Sequence, residues 1–444
     1  MATARAMRRY VVGAGWVALY LAVTLAPLLV IMLTPSPPGR GFWTEFSAAL
    51  GFAGLSMLGL QFALTSRFRR ASAPYGMDLV LQFHRQISLV AAGLIVAHVA
   101  ILFVSRPETL ELLNVIEAPW RARFGLLGLL ALVVLIVLSL WRVELRMRYE
   151  PWRIVHGLLA VAILGFGAAH VIGVGHYLEL FWKQVLWVVL ALGAIGLLVY
   201  IRVARPAKIL HQPWMIDEVI EERGNAWTLR LHPVDHPGMR FEPGQFAWIT
   251  IGRSPFGVHE HPFSFSSSAD EPTRPTLTIK ALGDFTNTIG EIEPGTIAYL
   301  DGPHGVFIPR RMDAPAFVFV AGGIGITPIM SILRTFADRE DPRPLTLIYA
   351  SESWEAITFR EEIDALTERL ALRVVHVLRD PPDGWKGESG YVDRELIERH
   401  LPEHPESAAY LLCGPDPVTE AAEEALLDLG IPHGQIRIER FDVV

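Results

Sequence analysis

Cysteine is almost missing from this sequence: Cys413 is the one thiol in 444 residues. That scarcity excludes an intrachain disulfide, and it excludes a structural zinc site or an iron–sulfur cluster held by four cysteines. Electron-transfer chemistry, if the chain performs it, has to use flavin, haem or another cofactor held without thiolates. Charge is also scarce, at 19% of residues against 51% hydrophobic, with a mean hydropathy of +0.34. The shortage is uneven. Residues 1–205 hold 18 Lys and Arg against 8 Asp and Glu, and the rest hold 21 against 38. A greasy basic half is joined to an acidic one, so the net charge of −7 says little about partners. The basic residues of the first half sit between apolar runs and form no stripe, so nucleic acid is not an expected partner.

Six apolar stretches precede Arg205, at roughly 11–33, 43–65, 83–104, 124–141, 154–174 and 182–203. Each approaches the ~20 residues that a spanning helix needs. The first follows Arg5, Arg8 and Arg9 but is too long for a signal-peptide core, so it reads as an uncleaved span. Basic residues collect in alternate loops: Arg67, Arg69 and Arg70, then Arg142, Arg146, Arg148 and Arg153, then Arg202, Arg205 and Lys208. The opposite loops carry only Arg40, Arg106, Arg121, Arg123 and Lys183. The positive-inside rule then predicts a cytoplasmic N-terminus and a cytoplasmic C-terminal half, and an even number of spans agrees. The expected setting is a bacterial inner membrane, with lipid as a partner.

Histidines inside the spans are the strongest signal. His84 and His98 lie on span three, His156 and His170 on span five, each pair fourteen residues apart. Fourteen steps leave two residues about 40° from the same helical face and about 21 Å apart along the axis. Because both spans run in the same direction, His84 is level with His156 near the cytoplasmic side, and His98 with His170 near the outer side. Two facing imidazole pairs, one above the other, are what two bis-histidine haems require. Hydrogen-bonded packing and proton relay are the other uses of buried histidine.

Beyond a short linker at 206–213, alternating strands at 227–231, 245–251 and 277–281 predict a small antiparallel barrel. After about 312 the pattern becomes apolar strands (316–321, 345–350, 372–378, 409–413) alternating with helices from 327, 359 and 417. That is a Rossmann-like parallel α/β sheet. Its first strand runs into Gly322-Gly323-Ile324-Gly325-Ile326-Thr327-Pro328, a glycine turn before a helix N-terminus, suited to a pyrophosphate.

In this order the motifs resemble the ferric reductase and NADPH oxidase superfamily: a six-helix bis-haem membrane domain fused to a ferredoxin–NADP reductase-like module. The resemblance covers nearly the whole chain and divides it into a haem domain (1–205), an FAD-binding barrel (206–312) and an NAD(P)H domain (313–444). It implies that His261-Pro262-Phe263-Ser264 holds FAD, with Lys280, Gly283, Phe285 and Thr286 as a second FAD segment, and that Gly302-Pro303-His304-Gly305 is the family's Gly-Pro-x-Gly turn. Gly322, Gly323, Gly325, Thr327 and Pro328 resemble the nicotinamide-dinucleotide loop, while Cys413, Gly414 and Pro415 match a Cys-Gly-Pro near the nicotinamide. Phe441 is the best match to a terminal aromatic that covers the flavin, although Asp442, Val443 and Val444 follow it. Phe441, Cys413 and Thr327 are the expected participants nearest the chemistry.

After the second nucleotide strand the chain reads Ser351-Glu352-Ser353, with an acid where NADP users carry a basic residue. Arg360 is placed to compensate, so NADPH and NADH both remain open. The expected activity is transfer of electrons from cytoplasmic NAD(P)H through FAD and two b-type haems to a small-molecule acceptor outside, either dioxygen or a ferric chelate. The rival is a haem-free anchor for a flavin reductase that serves a cytoplasmic protein.

Overall fold

Backbone groups inside a bilayer have no water to bond, so long apolar runs there close their hydrogen bonds as helices. The structure, a computed structural model, describes residues 2–34, 37–66 and 77–441, without the side chains of 2–12, 77–78 and 311. It divides into two compact units, Met1–Pro206 and Ala207–Val444. In the first, the six apolar stretches are helices: α1 (Ala2–Met32), α2 (Phe42–Leu64), α3 (Met77–Ser105), α4 (Trp120–Leu140), α5 (Tyr149–Val174) and α6 (Phe181–Val199). All six are long and apolar enough to cross a membrane. α4 begins four residues before the predicted 124, because Pro119 at its N-cap leaves Trp120 free to start the helix. α5 stops at Gly175, whose left-handed φ of 70° forms a glycine cap. Of the basic residues used for orientation, Arg67, Arg69 and Arg70 lie outside the described residues, as do the side chains of Arg5, Arg8 and Arg9.

α2 packs along α3, and α4 along α5, making two helical hairpins. Gly54 lets α3 approach: a Cβ there would meet Ile95 at 2.8 Å and the Ala91 carbonyl at 3.1 Å. Ala91, Ala92 and Ala168 are buried between helices, whereas a Cβ on Gly93, Gly157 or Gly165 would meet nothing within 4 Å.

The second unit holds two six-stranded sheets. The first contains β1 (Pro213–Glu222), β2 (Ala226–Pro233), β3 (Phe246–Ile251), β4 (His261–Ser264), β5 (Thr276–Lys280) and β6 (Ile297–His304), antiparallel in the order β4-β3-β6-β1-β2-β5. A bridge from Phe265 to Leu277 joins the ends of that order into a barrel. Pro213, expected in a linker, is the first residue of β1, a strand position that tolerates a missing N–H.

The second sheet is parallel: β7 (Phe317–Gly322), β8 (Leu345–Ser351), β9 (Leu372–Leu378), β10 (Glu388–Ser389), β11 (Ala409–Cys413) and β12 (Ile436–Glu439), ordered β10-β9-β8-β7-β11-β12. Strand periodicity feeds two cores. Phe317, Phe319 and Ala321 face the layer of α7 (Ile326–Asp338) and α8 (Arg360–Leu366), while Val318 and Val320 face that of α9 (Arg394–Arg399) and α10 (Asp416–Asp428). With both faces covered, the strands read as near-continuous apolar runs. The chain leaves β7 toward β8 and later returns to β7's other side as β11, so the switch point of the sheet lies between Gly322 and Gly414.

Candidate functional site

In the membrane unit the four intramembrane histidines form two facing pairs. The rings of His84 and His156 lie 6.3 Å apart between centroids, and His98 and His170 line one cavity of about 340 Å³. Every one of the four hydrogen-bonds through Nδ1 to the helix that precedes its own. His84 meets Gln61 Oε1 at 2.8 Å and His98 meets the Ser47 carbonyl at 2.8 Å. His156 meets Ser139 Oγ at 3.3 Å, and His170 the Arg121 carbonyl at 2.7 Å.

The partners settle which nitrogen carries the proton. A carbonyl only accepts, so His98 and His170 donate through Nδ1. Gln61 spends its amide N–H on the Met57 carbonyl at 3.1 Å, which turns its oxygen to His84. Ser139 gives its hydroxyl proton to the Leu135 carbonyl at 2.7 Å and keeps a lone pair for His156. All four neutral rings are therefore Nδ1–H tautomers with an Nε2 lone pair left over. Metal-ligating histidine is held in this way, and the hydrogen bond makes the free nitrogen a better donor.

Two glycines make the His98–His170 pair possible. A Cβ on Gly125 would lie 2.9 Å from His170 Nδ1, and one on Gly51 would lie 3.2 Å from the His98 ring. Each glycine sits four residues after the carbonyl that its histidine uses, Ser47 or Arg121, so both rings rest on bare helix backbone.

Rings 6.3 Å apart leave room for one metal ion at about 2 Å from a nitrogen of each. Among the described residues, no three His, Cys, Asp or Glu side chains converge on a metal position. A donor set of two imidazoles, with no third protein ligand among the described residues, suits a metal whose other ligands come from a macrocycle. Beside the His84–His156 pair, the Trp152 ring lies 5.1 Å from His156 and its buried indole N–H has no partner among the described residues. These residues fit haem.

In the barrel, pairing of β3 with β4 sets Ala247 opposite Phe263 and Phe246 opposite Ser264. Ser264 is buried, whereas His261 and Phe263 share the other face of β4, where Phe285 stacks on His261 at 3.8 Å and lies parallel to Phe263 at 6.2 Å. Pro262 lies between them, and Lys280 ends β5. Flat rings beside a polar strand end fit a flavin platform. Thr286 is spent locally: its hydroxyl accepts from the Leu282 and Gly283 amides at 2.9 and 2.8 Å, closing the turn.

At the switch point the glycines bring two loops together. A Cβ on Gly325 would lie 2.2 Å from the Cys413 carbonyl, one on Gly414 2.8 Å from Gly322, and one on Gly322 2.9 Å from Pro415. Gly323, with φ of 50°, has open space around it instead. Thr327 is buried and donates to the Ile324 carbonyl at 2.8 Å, and Pro328 is buried behind it, so both shape the loop. Cys413 is fully buried in the core, and burial pushes its thiol well above the usual range. Phe441, 41% exposed, lies two residues beyond β12 and makes no ring contact among the described residues.

Helix α7, which opens from the nucleotide loop, is tied to the barrel segment that follows the flavin motif. Ser331 donates to the Ser267 carbonyl at 2.7 Å and Arg334 to the Ser266 carbonyl at 2.5 Å. Thr335 Oγ1 accepts from the Ala269 amide at 2.9 Å, and Arg339 grips Asp270 at 2.7 Å. Hydrogen bonds from Arg339 hold the Asp270 carboxyl below its ordinary value, and Arg223 likewise brings Glu361 down to about 2.

Residues 50–167 match the family of ferric reductase like transmembrane components, and 319–424 match the oxidoreductase NAD-binding domain. The chain therefore joins a ferric reductase-like transmembrane component to an oxidoreductase NAD-binding domain, an architecture like that of the fused ferric reductases and NADPH oxidases. The chain is similar to NADH-cytochrome b5 reductase 1 of Mortierella alpina, 31% identical over 169 residues, 37% of this chain and 57% of that protein. The chain thus spans little more than half the length of that relative. The Aspergillus fumigatus protein of the same name is 29% identical over 243 residues, 51% of this chain and 78% of its own. A solved flavohemoglobin from Malassezia yamatoensis, with bound FAD and heme, aligns with a TM-score of 0.50 at 16% identity, over 91% of this chain and 100% of its own, a likeness of fold alone.

Gln61, Ser139, Gly51 and Gly125 escape a reading of the sequence. A backbone carbonyl acceptor leaves no mark in side-chain identity. The one trace is a glycine four residues after the supporting carbonyl in both hairpins.

Proposed function

We propose that this chain is a membrane flavohaem oxidoreductase that moves electrons from NAD(P)H, by way of FAD and two b-type haems, to an acceptor at the opposite face. Four imidazoles in two facing pairs, each with its Nδ1 committed and its Nε2 lone pair free, carry the proposal. When bound, the nicotinamide and flavin supply hydride and single-electron chemistry, and the haems supply one-electron relay through the bilayer. The residues bind and orient. His84 with His156, and His98 with His170, supply the axial nitrogens; Gln61, Ser139 and the Ser47 and Arg121 carbonyls fix their tautomers. His261, Pro262, Phe263, Ser264, Lys280, Gly283, Phe285 and Thr286 form the flavin side. Gly322, Gly323, Gly325, Thr327 and Pro328, with Gly414 and Pro415, form the dinucleotide side. Cys413 lies in the core beneath that crevice, and Phe441 is assigned the part of the terminal aromatic that covers the flavin.

NADH is the better-supported donor. Glu352 sits directly after β8 in an ion pair with Arg379. Arg360, the residue placed to offset it, is occupied: it lies over Trp354 at 4.5 Å and donates to the Trp354 carbonyl and to Glu361. An acid with no free arginine beside it disfavours a 2′-phosphate, and the related reductases carry NADH in their names.

The test is spectroscopic. The purified full chain is expected to contain about two haem b per polypeptide, to reduce them on addition of NADH with FAD, and to lose one in His98→Ala. A haem-free preparation that retains flavin reductase activity overturns this in favour of the tethered reductase. Cytochrome c reduction with and without superoxide dismutase then separates dioxygen from a ferric chelate as the acceptor.

A further inference from the structure

The two histidine tiers differ in that both outer histidines have a main-chain acceptor and neither inner one does. The outer pair, His98 and His170, leans on the main-chain carbonyls of Ser47 and Arg121, which no substitution removes, and the Ser47 hydroxyl adds a second contact at 2.9 Å from His98 Nδ1. The inner pair leans on side chains, Gln61 and Ser139. Those two are unequal: Gln61 Oε1 stands 2.8 Å from His84, within the normal range, whereas Ser139 Oγ is 3.3 Å from His156, at the long edge of a hydrogen bond. Gln61 is only 6% exposed, and its amide nitrogen is bound to the Met57 carbonyl one turn back on α2. Its oxygen therefore has one orientation, toward His84.

We infer that Gln61 is the positioning residue of the inner centre, fixing the tautomer of His84 and setting the donor strength of its Nε2 separately from the outer centre. The inference rests on the haem reading above. Without an acceptor at position 61 the His84 N–H is a buried unpaired donor. The ring can relieve that by moving its proton to Nε2, which abolishes the lone pair needed for ligation, or by rotating away from His156. Removal of the partner of a ligating histidine typically costs about 10- to 100-fold in metal affinity. Glutamate, charged or neutral, keeps an acceptor oxygen of the same reach, while leucine keeps similar bulk and removes it.

The test uses the full chain purified in detergent, as wild type, Gln61→Leu and Gln61→Glu. Haem per polypeptide is measured by pyridine haemochromogen, and the two one-electron waves by optical redox titration. Wild type is expected to show two haems and two waves. In Gln61→Leu one wave should stay in place while the other shifts or disappears, with haem content falling toward one, and Gln61→Glu should restore the second wave. Two unchanged waves in Gln61→Leu overturn the inference while leaving the haem reading intact. Loss of both waves, or failure of Gln61→Glu to restore the affected one, also overturns it and makes Gln61 a packing residue. Absence of haem from wild type refutes the underlying reading instead, so the two failures are distinguishable.

Discussion

Gly125→Ala is the sharpest test of how the outer pair is seated. The new methyl would lie 2.9 Å from His170 Nδ1 and 3.1 Å from its Cε1, closer than a Cβ can be tolerated. The ring cannot yield without stretching its 2.7 Å bond to the Arg121 carbonyl, which fixes its tautomer. Overpacking of this kind costs about 1–3 kcal/mol, roughly 5- to 150-fold in occupancy of the site. Gly51→Ala is the graded comparison: its contacts with His98 begin at 3.2 Å, so a small shift relieves them and the loss should be smaller. Gly193→Ala is the control, because its methyl would meet nothing within 4 Å. Haem content and the position of each redox wave are measured for all three. The expected order of damage is Gly125→Ala, then Gly51→Ala, then Gly193→Ala, confined to the outer wave. An unaltered outer wave in Gly125→Ala, or equal loss in Gly193→Ala, refutes the reasoning.

Glu352→Ser should raise kcat/KM for NADPH relative to NADH by about tenfold or more in flavin reduction, since it removes the charge facing a 2′-phosphate; an unchanged ratio places nucleotide choice elsewhere. Arg334→Met cuts the tie between α7 and the Ser266 carbonyl and the ion pair with Glu362. It should slow stopped-flow flavin reduction by NADH more than it weakens FAD binding, and equal effects on both would count against a role in aligning the two sites. Cys413, fully buried, should resist maleimide labelling in the folded chain and label fully once denatured. Asp270 has its folded-state value depressed, so its pairing with Arg339 stabilises above the unfolded value of about 3.9 and is lost as pH falls below it. For a pair this exposed the contribution is about 0.2–1 kcal/mol, and Asp270→Asn should flatten the acid limb of a thermal-stability profile by no more than that.

The legible parts of the molecule were those written in periodicity. Continuous apolar runs marked the six spans because a bilayer forces such runs into helices, and alternating or buried strands separated the barrel from the parallel sheet. The fourteen-residue spacing of His84 and His98, repeated by His156 and His170, survived because a helix converts spacing directly into depth and face. What did not show was anything resting on the main chain or on a neighbour distant in sequence. Strands β1, β4 and β6 lack long alternating patterns and exist through their partners in the barrel. The hydroxyls of Thr286 and Thr327 close their own turns, a local bond that residue identity alone does not announce. Gln61 lies 23 positions before His84, a separation that announces nothing until α2 folds back on α3.

Because each histidine-bearing helix is backed by the helix before it, the hairpins α2–α3 and α4–α5 can complete their histidine supports before they meet. Under the proposed function the haems then bridge two finished halves, taking one nitrogen from each at both depths. Cofactor capture doubles as assembly, and the loop between α3 and α4 becomes a joint that the folded protein no longer relies on. Two fragments divided at that loop and produced together with haem should reunite into one bundle, whereas the same fragments without haem should not.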